Sequence, residues 1–169
     1  SPHALLNQWY ERYPKAFCYI WSHPESGIWI GATPETLVKV ERNRFKTMAL
    51  AGTQSYNGEI ENAAWTPKEV EEQKIVSDEI VQKLKDFKVA AGSINLSDPY
   101  TVRAGNLLHI RTDISGTLEN DNLSNLLESL HPTPAVCGFP REEAKEFILE
   151  NEYSDREFYA GFLGEINLK

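Results

Sequence analysis

Ala49-Leu50-Ala51-Gly52-Thr53 is the stretch on which the fold of this chain turns. It is a short apolar run closed by Gly-Thr, which suits a buried strand that stops at a tight turn. Glycine lets another backbone or a ligand come close there, because it carries no Cβ. Many strands end this way, so the stretch takes its meaning from its flanks. Glu35 precedes it and Glu72 follows it. These two carboxylates are the first candidates for chemistry.

The chain has 169 residues, enough for one domain with a sizeable core. Apolar residues make up 41% and charged residues 25%, the balance of an ordinary globular domain. A net charge of −8 argues against nucleic acid or an anionic membrane as the main partner. An acidic protein still binds an anion through a metal ion or backbone amides. No apolar run approaches the ~20 residues that span a bilayer, and no signal-peptide pattern opens the sequence. Cys18 and Cys137 make a poor disulfide framework. They read as reduced thiols, which points to a cytoplasmic protein.

Backwards from the opening stretch, residues 45–51 read as a strand ending at Gly52, with a turn at 41–44 and a short strand at 37–40. Thr33-Pro34-Glu35 is a break, since proline cannot donate in a central ladder. Residues 17–21 and 28–32 form a hairpin around the turn at 23–27. Residues 2–13 form a short amphipathic helix, with Leu5, Leu6, Trp9 and Tyr13 at helical spacing and Pro14 as the stop.

Forwards, 54–65 is a polar loop. A helix then opens with Thr66 as N-cap, Pro67 at the first helical position and Glu69 closing a capping box. It runs to about Phe87 with an apolar stripe of Val76, Ile80, Leu84 and Phe87. One turn further back on that stripe stands Glu72, with Glu69 a turn earlier. Carboxylates on a core-facing stripe are costly unless paired or bound to a cation. Strands follow at 92–96, 101–103 and 107–118, the last with His109, Arg111 and Asp113 on one face by period two. Residues 123–130 are a helix with Asn122 as N-cap. The next ten residues, 131–140, hold three prolines and a glycine and form a rigid loop before a helix at 141–151. Such a loop offers free backbone N–H groups to an anion. Residues 158–166, with Gly161 and Gly164, read as a strand packed closely on a neighbour, and the chain stops in what reads as a strand or hairpin. The fold class is α+β, with antiparallel sheets and flanking helices.

Each candidate has a plainer structural explanation beside the chemical one. Glu35 could be a solvated turn carboxylate and Glu72 a partner of the helix dipole. His109 could be a satisfied core histidine, and the 131–140 loop a connector. The residues alone reach an α+β domain that could hold a hard cation such as Mg²⁺ on carboxylates and an anion on a loop.

Taken together, the motifs resemble the chorismate-utilising enzymes. Gly31-Ala32-Thr33-Pro34-Glu35 resembles the family's S/T-P-E motif, and Ala49-Leu50-Ala51-Gly52-Thr53 its A-L-A-G-T/S motif. Lys68-Glu69-Val70-Glu71-Glu72 is similar to its K-D/E-x-x-E helix start. Leu108-His109 resembles its H-L strand, with Ile110 in place of the Leu. His131-Pro132-Thr133-Pro134-Ala135-Val136-Cys137-Gly138 and Asp155-Arg156-Glu157-Phe158-Tyr159-Ala160-Gly161 resemble its two late signatures.

The resemblance implies one chorismate-binding domain over residues 1–169, with the anthranilate synthase component I-like fold and chorismate as the small-molecule partner. The H-P-T-P-A-V-x-G form resembles isochorismate synthases, isomerases that use Mg²⁺ and water to add a hydroxyl at C2 of chorismate and lose the one at C4. Isochorismate feeds menaquinone, siderophore or salicylate synthesis. Salicylate synthase, anthranilate or aminodeoxychorismate synthase, and a non-catalytic relative of the family are the alternatives. Aminodeoxychorismate synthases often carry Lys where this chain has Ala51, and anthranilate synthases usually have Arg where it has Gln54.

By the same resemblance, Glu35 is the acid that protonates the departing hydroxyl and His109 stands near it. Glu72 is a Mg²⁺ ligand and Glu69 its more distant partner. Gly52, Thr53, Pro134, Ala135 and Gly138 contact the substrate. In the family a catalytic lysine precedes the first helix, and an Arg-bearing strand, a Gly-rich loop and a second metal-binding glutamate follow the last signature. None has a counterpart in this sequence, so the resemblance implies a central portion truncated at both ends. Alone it is expected to be inactive and to self-associate through open sheet edges.

Overall fold

The computed structural model describes residues 1–60, 63–87, 89–119 and 123–167. Helix α1 (Pro2–Arg12) starts at Ser1, whose hydroxyl accepts from the Ala4 N–H at 3.4 Å. It leads into a two-stranded antiparallel hairpin, β1 (Phe17–His23) and β2 (Gly27–Thr33). Trp21 and Trp29 face each other across this hairpin and stack with ring centres 6.0 Å apart. Cross-strand aromatic pairs of this kind hold small sheets together.

The main sheet has five strands. β3 (Lys39–Glu41) pairs with β4 (Arg44–Ser55), and β4 pairs with β7 (Leu107–Thr117). β5 (Asn95–Leu96) and β6 (Tyr100–Ala104) pair with different lengths of β7. Every pairing is antiparallel. Helix α2 (Pro67–Asp86) lies across one face of the sheet. Helices α3 (Leu123–Leu130), α4 (Pro134–Cys137) and α5 (Arg141–Asn151) follow. The core forms where Phe45, Ala49 and Ala51 of β4 and Ile114 of β7 meet Val76, Ile80 and Leu84 of α2, closed by Leu126 and Leu130 of α3. The α+β class with antiparallel sheets and flanking helices is what the sequence indicated.

Five sequence expectations need correction. First, β4 does not end at Gly52 but runs on to Ser55. Ala51 pairs with Ile110 and Thr53 with His109, so Gly52 is an extra residue, a bulge at φ +71°. Second, the core-facing stripe of α2 continues to Gln73, not to Glu72. Helical residues step by about 100°, so Gln73 lies about 20° round the axis from Leu84 and Glu72 about 120°. Gln73 is accordingly buried and Glu72 exposed. Third, the short strands at 37–40 and 92–96 reduce to Lys39–Glu41 and Asn95–Leu96. Fourth, the rigid loop contains a helical turn, α4. Fifth, 158–166 is not a strand, because no strand among the described residues pairs with it. The N-cap expected at Asn122 and the chain's last residue, Lys169, lie outside the described residues.

Candidate active site

The bulge in β4 has a cavity of about 230 Å³ beside it. Leu50, Ala51, Gly52 and Thr53 form one wall, and Thr33, Pro34 and Glu35 another. Glu72, His109 and Ala135 complete the lining. Sites far apart in sequence meet here because β4 carries the bulge between α2 and β7.

Glu35 sits just past the end of β2, where Pro34 interrupts the ladder. Its backbone N–H donates to Thr33 Oγ1 at 3.3 Å, a local turn that aims the residue. The carboxyl is half-buried, and burial raises its pKa above the ordinary 4.5. Desolvation disfavours the charged form, so Glu35 is biased towards the protonated acid.

Gly52 is needed at the bulge for two reasons. Its φ lies in the region that side chains disfavour, and an added Cβ would stand 3.1 Å from Glu69 Cβ and 3.3 Å from Ile110 Cδ1. The Gly52 carbonyl lies 3.0 Å from His109 Nδ1. A carbonyl only accepts, so Nδ1 is the donor in this pair and carries the proton. Thr53 Oγ1 stands 3.2 Å from the same nitrogen. That fixes the ring and leaves Nε2 as the nitrogen available for chemistry.

Glu72 projects from the second turn of α2 and is exposed. Glu69 does not line the cavity. Its carboxylate is engaged by the capping box, accepting the Thr66 N–H at 2.9 Å and the Thr66 hydroxyl. The Thr66 hydroxyl is the main cause that lowers the Glu69 pKa. Among the described residues no three His, Cys, Asp or Glu side chains come together as a metal site.

The 131–140 segment reaches the cavity only through Ala135. Pro134 and Gly138 do not line it. Three of the expected free amides are used within α4: Val136 and Cys137 N–H donate to the Thr133 carbonyl, and Gly138 N–H to that of Pro134. The Arg141 side chain secures the segment, donating to the carbonyls of Ser129 at 3.0 Å, Glu128 at 3.3 Å and His131. It thereby caps α3, whose last carbonyls have no partner in the helix.

Of the residues singled out from sequence, Glu35, Gly52, Thr53, Glu72, His109 and Ala135 come together. Thr33, Pro34, Leu50 and Ala51 also line the cavity and were not assigned there. They were legible, since they lie inside the two motifs that bear Glu35 and Gly52. Among the described residues no lysine or arginine lines the cavity, which carries two carboxylates and one histidine.

A carboxyl biased towards its protonated form, a second carboxylate and an oriented histidine around one small cavity, on an α+β scaffold, are groups able to move a proton on a small molecule. A family model described as "Chorismate binding enzyme" matches residues 1–169, and the chain belongs to this family. It is 34% identical over 174 aligned residues to a chloroplastic isochorismate synthase of Catharanthus roseus, covering 97% of this chain and 29% of that protein. A protein from Bacillus anthracis assigned as a 2,3-dihydroxybenzoate-specific isochorismate synthase superposes with a TM-score of 0.80 at 28% identity, over 90% of this chain and 43% of that one. Anthranilate synthase component I from Streptococcus pneumoniae shares the fold, with a TM-score of 0.76 at 20% identity, over 92% of this chain and 35% of that one. The chain thus spans about three to four tenths of the length of these relatives.

Proposed function

We propose that the chain carries the acid and one metal-binding carboxylate of an isochorismate synthase, a Mg²⁺-dependent isomerase of chorismate. The observation that carries the reading is the meeting of Glu35, Glu72 and His109 in one cavity, with burial holding Glu35 towards its protonated form. Relatives at 27–34% identity named isochorismate synthases support it.

Chorismate is a dianion, and a cavity with two carboxylates and no lysine or arginine among its described lining repels it. The donor set fits a hard cation: Glu72 is exposed and has no partner among the described residues, and Mg²⁺ typically takes one or two protein carboxylates with waters and substrate oxygens. Glu69 is bound into the helix cap, so Glu72 is the residue of this helix that would hold the metal. When bound, Mg²⁺ supplies positive charge to the substrate carboxylate.

Glu35 donates its proton to the C4 hydroxyl as that bond breaks, and water adds at C2 as the ring double bonds shift. The proton lost by the attacking water balances the one delivered by Glu35. His109, with Nδ1 tied to Gly52, presents Nε2 to the departing hydroxyl. Leu50 and Ala51 limit water on the ring face. We place the reaction in the cytoplasm, on the reading of Cys18 and Cys137 as reduced thiols.

The test is a chorismate assay with Mg²⁺, products resolved by chromatography, on this chain and on a longer protein that contains it at the full length of its relatives. Isochorismate from the longer protein, lost in Glu35→Gln, is the expected result. Anthranilate or salicylate as product moves the subgroup. Turnover undiminished in Glu35→Gln overturns the assignment of the acid.

A further inference from the structure

Gln73 is a polar residue in the core, 2% exposed. Its Nε2 lies 3.2 Å from the Ala49 carbonyl, 3.1 Å from Thr112 Oγ1 and 3.3 Å from Ser77 Oγ. Its Oε1 is buried and has no hydrogen-bond partner among the described residues. Exchanging the amide's oxygen and nitrogen would set Oε1 against the Ala49 carbonyl, two acceptors face to face. The Ala49 contact therefore fixes the orientation of the amide.

Ala49 and Thr112 face each other across β4 and β7. One amide thus joins the three elements that supply most of the cavity's polar groups. β4 carries Gly52 and Thr53, β7 carries His109, and α2 carries Glu72, the chain neighbour of Gln73. Packing alone does not call for this residue. An orphaned buried amide oxygen is destabilising, and a methionine would fill the volume without one. Polar groups held in a core at such cost can fix one arrangement of the elements around them.

We propose that Gln73 is a positioning residue that sets where the Glu72 carboxylate stands over the cavity. Its amide holds the first turns of α2 at one height and rotation against β4 and β7. In its cation arm this rests on the reading of Glu72 as a metal ligand; its hydrogen-exchange arm does not.

The test is Gln73→Met, with three readouts: thermal midpoint, amide hydrogen exchange along α2, and Mn²⁺ binding by EPR as a probe for the Mg²⁺ site. The midpoint should stay level or rise. Exchange at residues 71–74 should speed up by about tenfold relative to residues 80–84, a local loosening rather than global unfolding. Mn²⁺ affinity should fall by about 10–100-fold, the usual loss when a residue that orients a ligand is removed. Thr112→Val removes one acceptor of the same amide and should give a smaller effect of the same sign; it decides the matter if Gln73→Met does not fold. A lowered midpoint with faster exchange along the whole helix would make Gln73 a stability element and overturn the proposal, as would unchanged exchange at 71–74. Local loosening with Mn²⁺ binding indifferent to Glu72→Gln would uphold the positioning role and remove the metal assignment.

Discussion

The β4–β7–α2 unit and the segment after α5 are both rich in apolar side chains, yet only the first is a core. In the first, β4 is paired on both edges and α2 covers its face, so Phe45, Ala49, Leu84 and Ile114 are buried. In the second, Phe158, Tyr159, Phe162, Leu163 and Ile166 remain exposed. That segment is held by sparse contacts. Phe158 sets its ring edge-on to Trp21, with centres 4.9 Å apart, and His131 donates from Nε2 to the Ala160 carbonyl at 2.9 Å. An apolar pattern becomes a strand only where a neighbouring backbone takes up its N–H and C=O groups.

The largest effect that would sharpen this contrast is Phe45→Ala. The ring is fully buried and packs on Gly116, so removing it should lower stability by about 3–5 kcal/mol in urea unfolding. Gly52→Ala should come next. It forces a side chain into a left-handed conformation and against Glu69, and about 1–2 kcal/mol is expected for the conformation alone. The same variant should disturb His109, whose Nδ1 bonds the Gly52 carbonyl.

Glu35→Gln should act with the opposite sign, and only above acid pH. Below the ordinary 4.5 the carboxyl is protonated in folded and unfolded chains alike, so the substitution changes little. As pH rises, the unfolded carboxyl ionises first while the folded one keeps its proton, and the folded state loses stability until it also ionises. The variant should therefore be the more stable protein at pH 7, and the two should converge below pH 4.5, as read from thermal midpoints across pH. The smallest effect is expected for Leu163→Ala, within about 0.5 kcal/mol of the parent. A loss comparable to that of Phe45→Ala would break the contrast between the two regions.

Much of the first region was legible in the sequence because its signals are local. Thr66, Pro67 and Glu69 mark the start of α2 through capping chemistry, and the alternation from Leu108 to Ile114 marks the buried face of β7. The motifs holding Glu35, Gly52, Thr53, Glu72 and His109 pointed to one site, and the cavity gathers them. What the sequence did not disclose depends on contacts between elements. The bulge at Gly52 is visible only in the register of β4 against β7. The burial of Gln73 in place of Glu72 follows from the drift of a four-residue stripe around a 3.6-residue helix. Three amides of the 131–140 segment, those of Val136, Cys137 and Gly138, are taken up within the turn of α4. Residues 158–166 carried a strand's composition without a strand's partner.

The most direct test of the site is calorimetric titration of chorismate with and without Mg²⁺, on the parent protein and on Glu72→Gln. Two carboxylates and no lysine or arginine among the described lining residues should admit a dianion only with the cation present. The account predicts binding that requires Mg²⁺ and is lost or strongly weakened in Glu72→Gln. Equal chorismate affinity without the cation, or with Glu72 replaced, would contradict it.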